Sequence, residues 1–123
     1  MADNTLDRVT WWELPAPDLE QSKAFYAAVF GWTYEPFDEH AMIHTPDGEM
    51  VGALDGSATG RPGDGIAGYV NVADLEDAQA LVVAGGGEVV QARTEIGGDM
   101  GWWAAFRDPT GLRVGLCTDQ PAA

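Results

Sequence analysis

The amino-acid sequence predicts an α+β fold built from two copies of one βαβββ unit. Three observations carry that expectation. A helical run opening on Asp-Leu-Glu occurs twice, at Asp18 and at Asp74. A Pro-Gly turn followed by a short apolar strand also occurs twice, as TPDGEMVGAL from Thr45 and as DPTGLRVGLC from Asp108. Each helix pattern is preceded by one strand-like run and followed by three, so the two halves read alike from end to end.

In the first half the strand patterns fall at 10–14, 32–37, His40–His44 and 49–54, with a helix over Leu19–Phe30. In the second they fall at 67–72, 88–92, 101–107 and Arg113–Thr118, with a helix over Leu75–Ala84. Asp18 and Asp74 are placed as N-caps, with acidic side chains in the first turn, where they complement the free N–H groups and the helix dipole. Gly31 and the run Gly85-Gly86-Gly87 suit left-handed C-caps. The segment 55–65 (DGSATGRPGDG) has the composition of a linker between halves. The expected organisation is one domain over 8–118, with module 1 at about 8–54, the linker at 55–65 and module 2 at about 66–118. The segment 94–99 (TEIGGD) reads as a loop.

Length and composition bound the chemistry. At 123 residues the chain predicts one domain. An apolar share of 46% is enough to build a core without disulfides. No apolar run is long enough to span a bilayer. The N-terminal residues MADNTLDRVT lack the basic and apolar regions of a signal peptide. With Cys117 as the one cysteine, this leads us to expect a cytoplasmic protein. Six Lys and Arg stand against twenty Asp and Glu, a formal charge of −14. That field repels nucleic-acid phosphates and anionic lipid headgroups and attracts cations, so neither nucleic acid nor membrane is an expected partner. High acidity is also a plain means to solubility.

The motifs WWELPAPDLEQSKAFYAAVFGW (11–32), YVNVADLEDAQALVVAGGGEVV (69–90) and GWWAAFRDPTGLRVGL (101–116) resemble the vicinal oxygen chelate superfamily, the glyoxalase/bleomycin-resistance/dioxygenase group. The resemblance covers roughly residues 8–118. It implies that the two modules form a curved mixed sheet with a concave cleft, and that the protein is a homodimer. Metal-dependent members of the superfamily carry His, Gln or Glu ligands at four points, on the first and last strand of each module. Placed on this chain by motif, those points are Trp11, Gly52, Gly68 and Gly115, none of which offers a donor for a divalent cation. A shift of one residue offers Trp12, Val51 or Ala53, Ala67 or Tyr69, and Val114 or Leu116, of which only Tyr69 could coordinate, and poorly. The resemblance therefore leads to an expectation of no metal and no other cofactor.

Several residues carry candidate chemistry. Strand alternation puts Trp11 and Glu13 on one face. A carboxylate beside indoles could act as a general base or hold a cationic group, and a strand-end carboxylate reaching solvent or an N–H is an equal alternative. His40 and His44, at even spacing, share a face; each reads first as a surface or cleft-rim histidine, and His44 is the better acid–base candidate of the two because it sits nearer the middle of its strand. Glycine within a strand often marks a close approach. Gly52, Gly68 and Gly115, bordered by Trp11 and by Trp102 or Trp103, would leave room for a flat ligand held by stacking and cation–π contact. Each tryptophan taken singly reads as core. Cys117 reads as a small buried residue and Asp108 as a turn cap.

These features together predict a metal-independent protein that binds a small organic ligand, sequestering an aromatic or cationic compound such as an antibiotic. The alternative is a glyoxalase- or dioxygenase-like lyase or isomerase using Glu13 or His44 as acid–base, with or without a metal at a non-standard site. A third reading is an interaction scaffold whose cleft its own side chains fill.

Overall fold

In the computed structural model, which describes residues 5–57 and 65–122, the elements follow the order read from the sequence. The first half holds β1 (Arg8–Pro15), α1 (Leu19–Phe30), β2 (Thr33–Phe37), β3 (His40–His44) and β4 (Met50–Asp55). The second holds β5 (Ala67–Asn71), α2 (Leu75–Ala84), β6 (Glu88–Glu95), β7 (Trp102–Arg107) and β8 (Arg113–Thr118). The chain divides into two compact units, Trp11–Ala67 and Gly68–Ala123 with the residues through Thr10. Most of the expected linker, residues 58–64, lies outside the described residues.

The two halves share one topology. In the first, β4 lies between β3 and β1, antiparallel to β3 and parallel to β1, and β2 pairs antiparallel on the far side of β3. In the second, β8 lies between β7 and β5 with the same directions, and β6 pairs with β7. A parallel pair needs a crossover connection, and a helix supplies part of it in each half.

The helix ends follow the sequence signals with one displacement. The Asp18 carboxylate accepts from the Gln21 N–H at 3.1 Å, and that of Asp74 from the Asp77 N–H at 2.9 Å. Gly31 closes α1 at φ 75°, its N–H donating to the Ala27 carbonyl. In α2 the left-handed residue is Gly86 (φ 94°), one beyond the Gly85 cap, whose φ is −84°.

Each helix covers one face of its own strands. In the first half Ala16, Ala41, Ile43 and Leu54 are buried, and Trp12, Leu14, Leu19, Tyr26, Trp32 and Tyr34 pack against them. In the second the buried set is Val72, Leu75, Ala104 and Leu116, with Val70, Ala78 and Phe106 around it. A fully buried Leu or Ile contributes about 1.5–3 kcal/mol relative to exposure. Trp32 departs from its expected strand place. It precedes β2 and stacks on Tyr26 at 5.1 Å, with Phe30 at 5.3 Å beside it.

Three boundaries differ in ways that reach the site. β1 begins at Arg8 and ends at Pro15, longer than the apolar pattern indicates. β6 continues to Glu95, so Thr94 and Glu95, read as loop, pair with Trp103 and Trp102. Asp55, read as the first residue of the linker, instead ends β4 and is 9% exposed.

Candidate functional site

Alternation assigns each strand residue of the first half to a face. Trp12 and Leu14 on β1, Ala41 and Ile43 on β3 and Leu54 on β4 face α1. Trp11, Glu13, His40, Met42, Ala53 and Asp55 therefore occupy the opposite, helix-free face. The register places them as neighbours: Glu13 opposite Ala53, Met42 opposite Ala53, and His40 opposite Asp55. Ala53 and Met42, 0% and 9% exposed, form an apolar floor.

On that floor Glu13, His40 and Asp55 come together. The His40 Nε2 lies 3.7 Å from Glu13 Oε2 and 3.4 Å from Asp55 Oδ1. One donor atom from each of the three residues falls within 4.8 Å of the others. The three side chains are 26%, 16% and 12% exposed for His40, Glu13 and Asp55, so the group is mostly shielded but still reached by water. Two outer contacts orient the carboxylates. The Trp11 indole N–H donates to Glu13 Oε2 at 3.2 Å, and the Ser57 backbone N–H donates to Asp55 Oδ1 at 2.8 Å.

The electrostatics follow from this arrangement. The Glu13 carboxylate, by direct interaction with the imidazole, raises the His40 pKa above its ordinary value. Partial burial works against the rise, and the charges of Glu13, Asp55 and Asp38 add to it. The group can thus hold a proton between two carboxylates, hold a cation, or pass a proton between imidazole and Glu13.

The residues expected from the sequence fall unevenly. Trp11 and Glu13 are brought together as expected. His44, the histidine favoured for acid–base work, stands about 13 Å along β3 from His40, its Nδ1 against the Gly48 carbonyl at 3.3 Å. It belongs to the Thr45–Gly48 turn, and His40 is the histidine beside Glu13. In the second half Trp103 and Gly115 share the helix-free face, where Trp103 meets Tyr69 edge to face at 6.5 Å. Trp102 alternates to the helix side, where the Arg93 guanidinium lies 5.2 Å from its ring centre and is itself held by Glu76 of α2 at 2.7 Å.

The room attributed to the three glycines is filled by the chain's own side chains. A Cβ on Gly52 would meet the Trp12 carbonyl at 2.6 Å and its ring at 2.8 Å; on Gly68 it would meet Val9 at 3.3 Å; on Gly115 it would run into the Tyr69 ring. Close backbone approach is what these glycines permit, as strand glycines do, but the approaching groups are internal. The four points at which the superfamily's metal ligands were placed thus have no donor that fits an ion. Trp11 presents an indole N–H already given to Glu13, and the glycines at two of the other three lie beneath aromatic rings.

His40 and Asp55 were missed as site residues. The usable signal was a charged residue closing an apolar strand, Leu54-Asp55, at the same parity as Ala53. Asp108 matches its sequence reading, and Cys117, expected buried, does so in part. Cys117 is half-buried, its thiol pKa pushed up by burial, with Thr10 Oγ1 3.7 Å away. Asp108 accepts from the Thr110 and Leu112 N–H groups as a turn cap.

Among known proteins, the family described as bleomycin resistance protein-like N-terminal matches residues 8–49. The protein named "Putative glyoxylase CFP32" in Mycobacterium tuberculosis and in Mycobacterium bovis is 34% identical over 115 residues, which is 86% of this chain. The chain spans 43% of that relative's length. The structure of methylmalonyl-CoA epimerase from Mycobacterium tuberculosis superposes with a TM-score of 0.64 at 15% identity, over 98% of this chain and 94% of that one. A glyoxalase/bleomycin resistance protein/dioxygenase superfamily member from Vibrio splendidus gives 0.61 at 19%, over 87% and 95%. At these identities the two structural likenesses speak for the fold alone. Among the described residues no helix is long and apolar enough to cross a membrane.

Proposed function

We propose that the chain is a small-molecule-binding member of the vicinal oxygen chelate superfamily, in keeping with its family match and its glyoxylase-like relative, whose ligand, an aromatic or cationic organic compound of the antibiotic type, is held on the helix-free face of β1, β3 and β4. One observation carries this reading: Glu13, His40 and Asp55 converge on an apolar floor beside the Trp11 indole. A flat wall and a few converging polar groups over apolar surface are the make-up of a small-ligand site. Two carboxylates around one imidazole leave the group net negative, and the formal charge of −14 draws cations toward it. In this reading the protein sequesters its ligand without turnover, in the cytoplasm and as a homodimer. The exposed Phe25, Val29 and Phe30 of α1 support self-association.

A second reading has a specific observation in its favour. The His40 imidazole lies 3.7 Å from Glu13, a separation that a small side-chain rotation or one bridging water would close for proton transfer, which suits a lyase or isomerase. Its base is Glu13 and its partner His40.

Calorimetric titration with a panel of aromatic and cationic antibiotics, run in EDTA and again with added Mn²⁺ or Zn²⁺, tests both. Saturable binding that Trp11→Ala weakens about tenfold or more, with the compound recovered unchanged, supports sequestration. Conversion of the bound compound that Glu13→Gln abolishes while binding survives moves the assignment to the enzyme. Absence of binding by every compound removes the antibiotic reading. A chromatographic mass of one chain removes the dimer.

A further inference from the structure

We propose that Glu13, His40 and Asp55 form a binding site for one divalent transition-metal ion of the Mn²⁺ or Zn²⁺ kind. The proposal rests on the reading that the helix-free face of the first half is the functional one. It goes beyond that reading in naming the cation the face takes first.

The donor set is the first argument. Two carboxylate oxygens and one imidazole nitrogen combine a hard and a borderline ligand type. Carboxylate suits Mn²⁺, imidazole suits Zn²⁺ and Fe²⁺, and all three ions accept the mixture. The spacing is the second. Donors bound to one ion at about 2.0–2.2 Å lie no more than about 4.4 Å apart. The His40 nitrogen already meets that limit with both carboxylates, at 3.7 and 3.4 Å. The full set lies within 4.8 Å, so a small side-chain rotation closes it.

Support is the third argument. The three residues stand on adjacent strands in fixed register rather than on loops, which holds donor positions more tightly. The indole N–H of Trp11 and the backbone N–H of Ser57 give the two carboxylates the outer hydrogen bonds that metal ligands commonly have. All three donors come from one side of the sheet, so the ion's remaining positions fall to water or to an oxygen of the small ligand. This set includes none of the four points at which the superfamily's ligands were placed. Those points are without donors here, and the three residues come from the first half alone.

The test uses protein stripped with EDTA and dialysed, titrated calorimetrically with Mn²⁺, Zn²⁺ and Mg²⁺, with bound metal counted by elemental analysis. We expect one equivalent of Mn²⁺ or Zn²⁺ per chain and weak or no binding of Mg²⁺. Glu13→Gln, His40→Asn and Asp55→Asn should each weaken binding more than tenfold. Trp11→Phe, which removes only the outer hydrogen bond, should weaken it about tenfold. Glu20→Gln, at an exposed carboxylate, should leave it unchanged. If a variant fails to fold, the Mn²⁺ electron spin-echo signal of the unaltered protein decides, because a directly bound imidazole nitrogen must appear. No stoichiometric binding, binding that survives all three substitutions, or a signal without nitrogen overturns the site. Organic-ligand binding in EDTA with no metal response would overturn the metal and leave the proposed function standing.

Discussion

The two halves fold by one plan and furnish it with opposite chemistry. Their registers align residue by residue. The parallel pairs Glu13–Ala53, Leu14–Leu54 and Pro15–Asp55 of the first half correspond to Tyr69–Gly115, Val70–Leu116 and Asn71–Cys117 of the second. The next strand brings His40 opposite Asp55 and Trp103 opposite Cys117. The positions that hold carboxylate, imidazole and carboxylate in one half therefore hold phenol, indole and thiol in the other. On the helix side the match is conserved in kind, Leu54 with Leu116, Ala41 with Ala104, Ile43 with Phe106. Packing against a helix restricts what a position tolerates. The helix-free face is released from that restriction, and there the halves diverge into a charged group and an aromatic one.

If the halves are equivalent in their cores, equal damage should cost equally. Leu54→Ala and Leu75→Ala both remove a fully buried leucine, one in each half. Each should destabilise by about 2–5 kcal/mol in urea titration. A loss in one half below about 1 kcal/mol would show that half to be loosely packed and would break the comparison.

The two halves can also be separated by a smaller perturbation at strand glycines, Gly115 on the helix-free face of the second and Gly52 on the helix side of the first. Gly115→Ala sets a methyl against the Tyr69 ring, and Gly52→Ala sets one against the Trp12 backbone and ring. Overpacking costs about 1–3 kcal/mol. Gly115→Ala has only a side chain to displace, whereas Gly52→Ala also meets a carbonyl at 2.6 Å, so the second should melt at the lower temperature. The reverse order would mean that Tyr69 is the more tightly held of the two rings.

The smallest effect sharpens the chemical contrast. In EDTA-treated protein the His40 imidazolium is favoured by Glu13 first, and by the charges of Asp55 and Asp38. A raised folded-state pKa contributes stability that is full below the unfolded value of about 6.5. It is lost as pH rises through the raised value. The protein should thus become less stable as pH increases across that window. His40→Asn should flatten the dependence, as measured by thermal melts at a series of pH values. An unchanged slope would place the titrating group elsewhere.

How much of this was legible follows from which interactions are local. The helices over Leu19–Phe30 and Leu75–Ala84 were read to the residue, because an N-cap carboxylate and a terminal glycine act within one turn. The pairing of Trp11 with Glu13 was legible for a similar reason, since alternation alone puts residues two apart on one face. Sequence alone ranks His44 above His40 because it shows only position along the strand. The partners that make His40 matter are Glu13, on a strand distant in sequence, and Asp55, fifteen residues on, whose surroundings have the composition of a linker. The glycines were read as space for a ligand because nothing in sequence says that Trp12 and Tyr69 lie over Gly52 and Gly115.

The sequence by itself determined the duplicated βαβββ order, the helix caps, the turns and the excess of negative charge. All of these depend on residues near in the chain or on composition alone. Only the tertiary structure decided that β4 runs between β1 and β3, and so which carboxylates flank which imidazole. Strand register is set by the fit of whole apolar faces to a helix, and that fit carries Glu13, His40 and Asp55 into contact as a consequence no short stretch of sequence contains.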